Sequence, residues 1–146
     1  ELPSRIEVEL EKYTKKIQIE SRVLGDLAIN HIVPIAVAYQ NRLLENLRGL
    51  KEIFTEEEYA EMSQDRKDLV REISHRVTAI KILVREMTEA RKVANHLESQ
   101  EEKAFSYEKN VSPYLESIRD HIDHLEMEID DEIWPLPKYR ELLFSK

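Results

Sequence analysis

Residues 4–54 read SRIEVELEKYTKKIQIESRVLGDLAINHIVPIAVAYQNRLLENLRGLKEIF, a run interrupted by one proline, Pro34. Ile6, Leu10, Tyr13, Ile17, Leu24, Leu27 and His31 follow one another at alternating steps of three and four, with Glu20 filling the gap. Such spacing lines one stripe of a helix. Ser4 with Glu7, directly after Pro3, is a capping-box pair that starts it. Pro34 lacks a backbone donor and clashes with the Asn30 carbonyl, so a kink or break is expected at 30–34. Apolar spacing then resumes with Ile35, Ala38 or Tyr39, Leu43, Leu47, Leu50 and Phe54.

Downstream residues read as helix folding back along this run. Thr55 with Glu58 is a second capping box and predicts a short helical turn over 55–62. The next long helix is expected over 63–98, with a stripe of Leu69, Ile73, Val77, Ile80, Val84, Met87 and Ala94. Ser99 with Glu102 caps a third over 100–132, striped by Ala104, Tyr107, Val111, Leu115, Ile118, Ile122, Leu125 and Ile129. Ser112-Pro113 inside it either begins a fresh helix or bends a continuous one. The fold expected is all-α: an elongated antiparallel bundle of three long helices kinked at Pro34 and Pro113, counting as four or more if the kinks are breaks. A short Pro-rich tail closes it.

Equal rise per residue gives a register. With Phe54 beside Asp65, Pro34 faces position ~85 of the second helix; with Glu98 beside Glu101, Pro113 faces position ~86. Both prolines then lie at one height. Residues 4–20 overhang the end of the second helix with Ile6, Leu10, Tyr13 and Ile17 uncovered, and an apolar stripe of that size marks a partner surface or a missing domain.

Composition agrees with long amphipathic helices: the 146 residues are 36% charged and 41% hydrophobic, with only 2 glycines. The length suits one domain. No uninterrupted apolar run approaches the ~18 residues of a membrane span, and no cationic leader is visible, so no membrane partner is expected. The absence of cysteine excludes disulfides and thiolate zinc sites. A formal charge of −8 argues against a nucleic-acid partner. Lys12, Lys15, Lys16 and Arg22 form a small basic patch among glutamates, read as a solvated helix face.

Little in the chain suggests chemistry of its own. Glu72 and His75 match the Glu-x-x-His pair of dinuclear carboxylate sites, which need a second pair that is missing. His121, His124 and Glu128 have ligand-like spacing, yet His121 falls at the edge of the apolar stripe and His124 faces outward. His31 is expected in the core stripe, bonding a carbonyl freed near Pro34, and Glu20 is expected at an interfacial position. With two glycines there is no phosphate-binding loop. No catalytic, cofactor-binding or metal-ligating residue is assigned.

The tail differs. Trp134-Pro135-Leu136-Pro137 must end the third helix, and Tyr139, Leu142, Leu143 and Phe144 follow as an apolar patch. The tail either folds back over the bundle end or docks onto another domain or subunit. The docking set expected is Ile6, Leu10, Tyr13, Ile17, Trp134, Leu136, Tyr139, Leu142, Leu143 and Phe144.

The segment from Ile133 to Phe144, with its Trp-Pro-Leu-Pro, Tyr139 and Leu142-Leu143-Phe144, resembles the closing segment of type III glutamine synthetases. Glu9 to Tyr13 with Ile17 to Arg22 is similar to the start of that family's C-terminal helical region, and Ile32 to Gln40 to the proline-interrupted stretch after it. Pro113 stands in the family's Val-x-Pro context. Lys138 and Arg140 depart from it, standing where small residues are expected, and 50–105 agrees in pattern only. The resemblance implies an intact enzyme that joins ammonia to glutamate with ATP and magnesium or manganese through a γ-glutamyl phosphate. It implies a preceding catalytic domain that holds every ligand, homo-oligomeric rings of subunits, and a cytoplasmic location. On this reading residues 1–146 are one C-terminal helical domain (4–54, 63–98, 100–132 and a docking tail, 134–146) excised from a longer chain, as the start at Glu1-Leu2-Pro3 without methionine also suggests. The fragment itself needs no cofactor. A free-standing helical interaction module is the alternative; a metal-carboxylate bundle enzyme is a third reading.

Overall fold

The computed structural model describes residues 2–134 and 136, with side chains from Ser4 onward. Among the described residues the chain is helical with no strand. Three rods account for it. The first joins α1 (Leu2–Leu27), a π-helical turn (Ala28–Ile32) and α2 (Val33–Ile53). The second is the 40-residue α3 (Glu56–Asn95). The third joins α4 (Gln100–Ser106), a second π turn (Tyr107–Val111) and α5 (Ser112–Glu128).

Capping sets the starts of the second and third rods. Thr55 Oγ1 accepts the Glu58 amide while the Glu58 carboxylate accepts the Thr55 amide, and three glutamates fill the first turn of α3. This box starts the long helix itself, so the separate turn expected over 55–62 is simply the first part of α3. The link between α2 and α3 shrinks to Phe54 and Thr55. Ser99 caps the third rod from one side, its Oγ accepting the Glu102 amide. The third rod ends at Glu128, before the expected 132; Ile133 and Trp134 then bond back through their amides to the Asp130 carbonyl.

Neither proline breaks its rod. The Val33 amide reaches the Ala28 carbonyl and the Ser112 amide reaches that of Tyr107, five residues back in each case. A π turn widens the helix by one residue. Each ends two positions before a proline, so the ring enters where the regular ladder has already been set aside. The break at 30–34 is therefore corrected to a change of hydrogen-bond register over 28–32.

Cross-rod bonds set the alignment. Gln40 Nε2 donates to the Val70 carbonyl and Ser74 Oγ, and Gln18 Nε2 to Asn95 Oδ1, so the first two rods run antiparallel. Pro34 then faces position ~78 of α3 by equal rise, while the Tyr114–Glu86 bond places Pro113 near position ~87. The equal height expected for the two prolines is corrected to a separation of ~13 Å. The two-residue link after α2 is the cause, because it slides the second rod along the first.

The core contains Ile17, Ala28, Ile32, Val33 and Ala36 of the first rod, Ile73, Val77, Ile80, Met87 and Ala94 of the second, and Tyr107, Val111, Leu115, Ile118, Ile122 and Leu125 of the third. Around α1 the deepest line passes through Thr14, Ile17, Ser21, Gly25 and Ala28, one position beyond the Tyr13–Leu24–Leu27 stripe seen in the sequence. Small residues along that line let the helices approach closely, and the larger Tyr13, Leu24 and Leu27 pack beside it. By length and composition, one window of the helix from Ser4 to Ile53 passes for a membrane span, although it holds no uninterrupted apolar run of that length. Part of the first rod's apolar content, Ala28, Ile32, Val33 and Ala36, belongs to the core.

Candidate functional site

The expected docking residues separate into covered and uncovered groups. Ile17 is 6% exposed and Trp134 7%, both inside the chain's own core. They are corrected from docking residues to core residues. Ile17 lies on the deep line of α1, and Trp134 is turned inward by the bonds to Asp130, itself 3.5 Å from Arg42. Tyr13 is half-buried and its hydroxyl donates to a Glu108 carboxylate oxygen across the first and third rods. Burial, then the bond and charge of Glu108, push that hydroxyl up to about 12. The overhang expected over 4–20 is thus covered only in part, at Tyr13, Thr14 and Ile17, where α4 begins after a short turn and returns alongside α1, while 4–9 stay exposed.

Two areas remain open. Ile6 is 56% exposed and Leu10 half-buried; with Glu7, Glu98, Ser99, Gln100 and Glu101 they line a groove of about 580 Å³. Leu136 is 40% exposed and shares a second groove with Arg22, Val23, Asp26, Leu27 and His31. Tyr139, Leu142, Leu143 and Phe144 lie outside the described residues.

His31 is exposed and lines this second groove. Its expected place in the core stripe is corrected by the π turn, whose extra residue sends Ile32 and Val33 inward instead. Sequence spacing assumes 3.6 residues per turn and does not register that shift.

The candidate metal motifs acquire other partners. Arg76 Nε bonds Glu72 at 3.0 Å, and Arg76 Nη1 lies 3.1 Å from His121 Nδ1, which accepts when neutral. Burial first, and then the Arg76 charge, hold the His121 imidazole below its ordinary range. His75 lines a separate groove with Glu72, Arg76 and His121, while His124 points outward to the Asp120 carbonyl. Among the described residues no group of three or more His, Asp or Glu side chains gathers to hold an ion.

A polar network went unread in the sequence. Tyr107 is fully buried at the second π turn and its hydroxyl donates to Asn95 Oδ1, which also accepts from Gln18 Nε2 at 3.1 Å. Burial pushes the Tyr107 hydroxyl up. Buried Ser21 Oγ donates to the Gln18 carbonyl and lies 3.5 Å from Arg91 Nη1. These groups tie all three rods at one level. Only the Tyr107 stripe position was legible beforehand; its polar partners lie on other helices at spacings no motif marks.

These arrangements bind helix to helix and offer surface. Residues 1–51 match the glutamine synthetase C-terminal domain family. Over 146 residues, all of the chain, it is 81% identical to a glutamine synthetase of Bacteroides fragilis (strain YCH46), of which it covers 20%. It is 27% identical, again over its full length, to a type-3 glutamine synthetase of Dictyostelium discoideum, covering 20% of that protein. Identity is also 27% over 145 residues, or 99% of the chain, to a glutamine synthetase of Butyrivibrio fibrisolvens, with 20% of that relative covered. The chain therefore spans about one fifth of the length of these relatives. The resemblance read at its two ends extends through 50–105 as well.

Proposed function

This chain belongs with the C-terminal domains of glutamine synthetases, and on that premise we propose that it is the helical, non-catalytic end of a longer enzyme. The intact protein ligates ammonia to glutamate, consuming ATP with magnesium or manganese, and works in the cytoplasm as a homo-oligomer of ring-like assemblies. Residues 1–146 form one domain, an elongated antiparallel bundle bent at Pro34 and Pro113, and contribute packing against the catalytic body and neighbouring subunits. The observation that carries this reading is full-length likeness to proteins about five times as long. A free-standing module accounts for the amphipathic helices but not for that likeness.

The open grooves around Ile6 and Leu10, and around Leu136, are the surfaces this reading assigns to packing, together with Tyr139, Leu142, Leu143 and Phe144, which follow Leu136 in the sequence. Deleting residues 134–146 from the full-length enzyme is expected to shrink the assembly or lower glutamine formation. Sedimentation velocity and a product assay measure the two effects. Unchanged size and rate would refute the packing role of the tail.

A further inference from the structure

The groove at the start of α1 has a chemistry that specifies its occupant. Ile6 and Leu10, one turn apart, offer apolar surface, and Glu7, Glu98 and Glu101 surround it without a lysine or arginine in the lining. None of the three carboxylates forms a salt bridge among the described residues. Glu98 and Glu101 come from the α3–α4 turn and the start of α4, and Glu7 from α1; a partner that excluded water here without supplying a counter-charge would leave desolvated carboxylates unpaired. The carboxylates do not gather closely enough to hold an ion. A cationic side chain carried on another surface meets the same need at longer reach.

We infer that this groove receives a surface of the catalytic body of the same chain, bearing an apolar side chain flanked by lysine or arginine. The inference rests on the domain-packing reading above. It is supported by the acidic rim, which a basic surface would complement, and by the four-fifths of the relatives' length that lies outside this chain. An apolar anchor supplies contact area, and the basic flank selects orientation.

Amide hydrogen exchange in the full-length enzyme tests it. Amides of 6–13 and 98–104 are expected to exchange about tenfold slower in the wild type than in the Glu98→Lys, Glu101→Lys double variant. Raising salt to ~1 M, where the Debye length is about 3 Å, is expected to remove much of the wild-type protection. Glu98→Gln with Glu101→Gln, which leaves the Ser99 cap and the fold in place, is expected to give an intermediate loss. Protection indifferent to salt and to both variants would overturn the basic partner. Protection that varies with protein concentration would assign the groove to a second copy, and so overturn the inference also. If the groove variants change nothing while loss of residues 134–146 dissociates the enzyme, packing by this domain stands and only the groove assignment falls.

Discussion

The two π turns are made alike and surrounded differently. Each covers five residues and ends two positions before a proline, Pro34 in one rod and Pro113 in the other. The first carries Ala28 and Ile32 into an apolar core and turns His31 out. The second buries Tyr107 and Val111, and the Tyr107 hydroxyl enters a polar network with Asn95 and Gln18. One backbone device thus reorients an apolar stripe in one place and admits a satisfied polar group into the core in another. What decides is the partner helix: α3 presents Asn95 to the second turn, near its C-terminal end, and apolar residues farther along.

Reversing the faces of the first turn would break this comparison most sharply. Ile32→Ala is expected to destabilise the chain by about 2–5 kcal/mol, and His31→Ala by less than about 0.5 kcal/mol, in urea unfolding. The opposite order would mean that the stripe passes through Pro34 without a shift. Tyr107→Phe asks whether the second turn depends on its hydroxyl. Losing the donor to Asn95 is expected to cost about 1–2 kcal/mol, and a neutral result would reduce the network to packing alone.

Smaller effects sharpen the picture of α1. A Cβ on Gly25 would meet Val84 at 3.5 Å and Met87 at 3.7 Å, ordinary contact distances. Gly25→Ala is therefore expected to stabilise the helix by about 0.5–1 kcal/mol, read as a rise in the urea midpoint. A loss would show the approach there to be closer than described. Tyr13, bonded across to the second π turn, supplies the last test. With its hydroxyl raised to about 12 from an ordinary 10.0, the protonated form is favoured in the folded state. The stabilisation is full below pH 10 and declines as pH rises from 10 to 12. Phenolate absorbance should show one late-titrating tyrosine fewer in Tyr13→Phe than in the wild type, and that variant should lose the decline; an unchanged profile would locate the effect elsewhere.

Much of the local structure was legible beforehand. Thr55 with Glu58 and Ser99 with Glu102 marked helix starts because capping depends on residues three apart in the chain. The apolar stripes of the second and third rods were read correctly at Ile73, Ile80, Met87, Tyr107, Ile118 and Leu125. The apolar excess at the two ends was legible, but which residues stay open was not: Ile6 remains exposed, while Ile17 and Trp134 go inside. Covering depends on where another rod returns, and periodicity along one helix carries no such information.

The sequence by itself determined the helical class, the Thr55 and Ser99 caps though not one at Ser4, which lies inside α1, and the likeness to glutamine synthetases. Those follow from residues near one another in the chain and from motif order. Only the tertiary structure decided that the helix stays continuous at each proline, that the two prolines lie at different heights, and that Ile32 rather than His31 faces the core. The physical reason is that a π turn trades local hydrogen-bond geometry for side-chain packing, and the packing partner comes from a distant part of the chain.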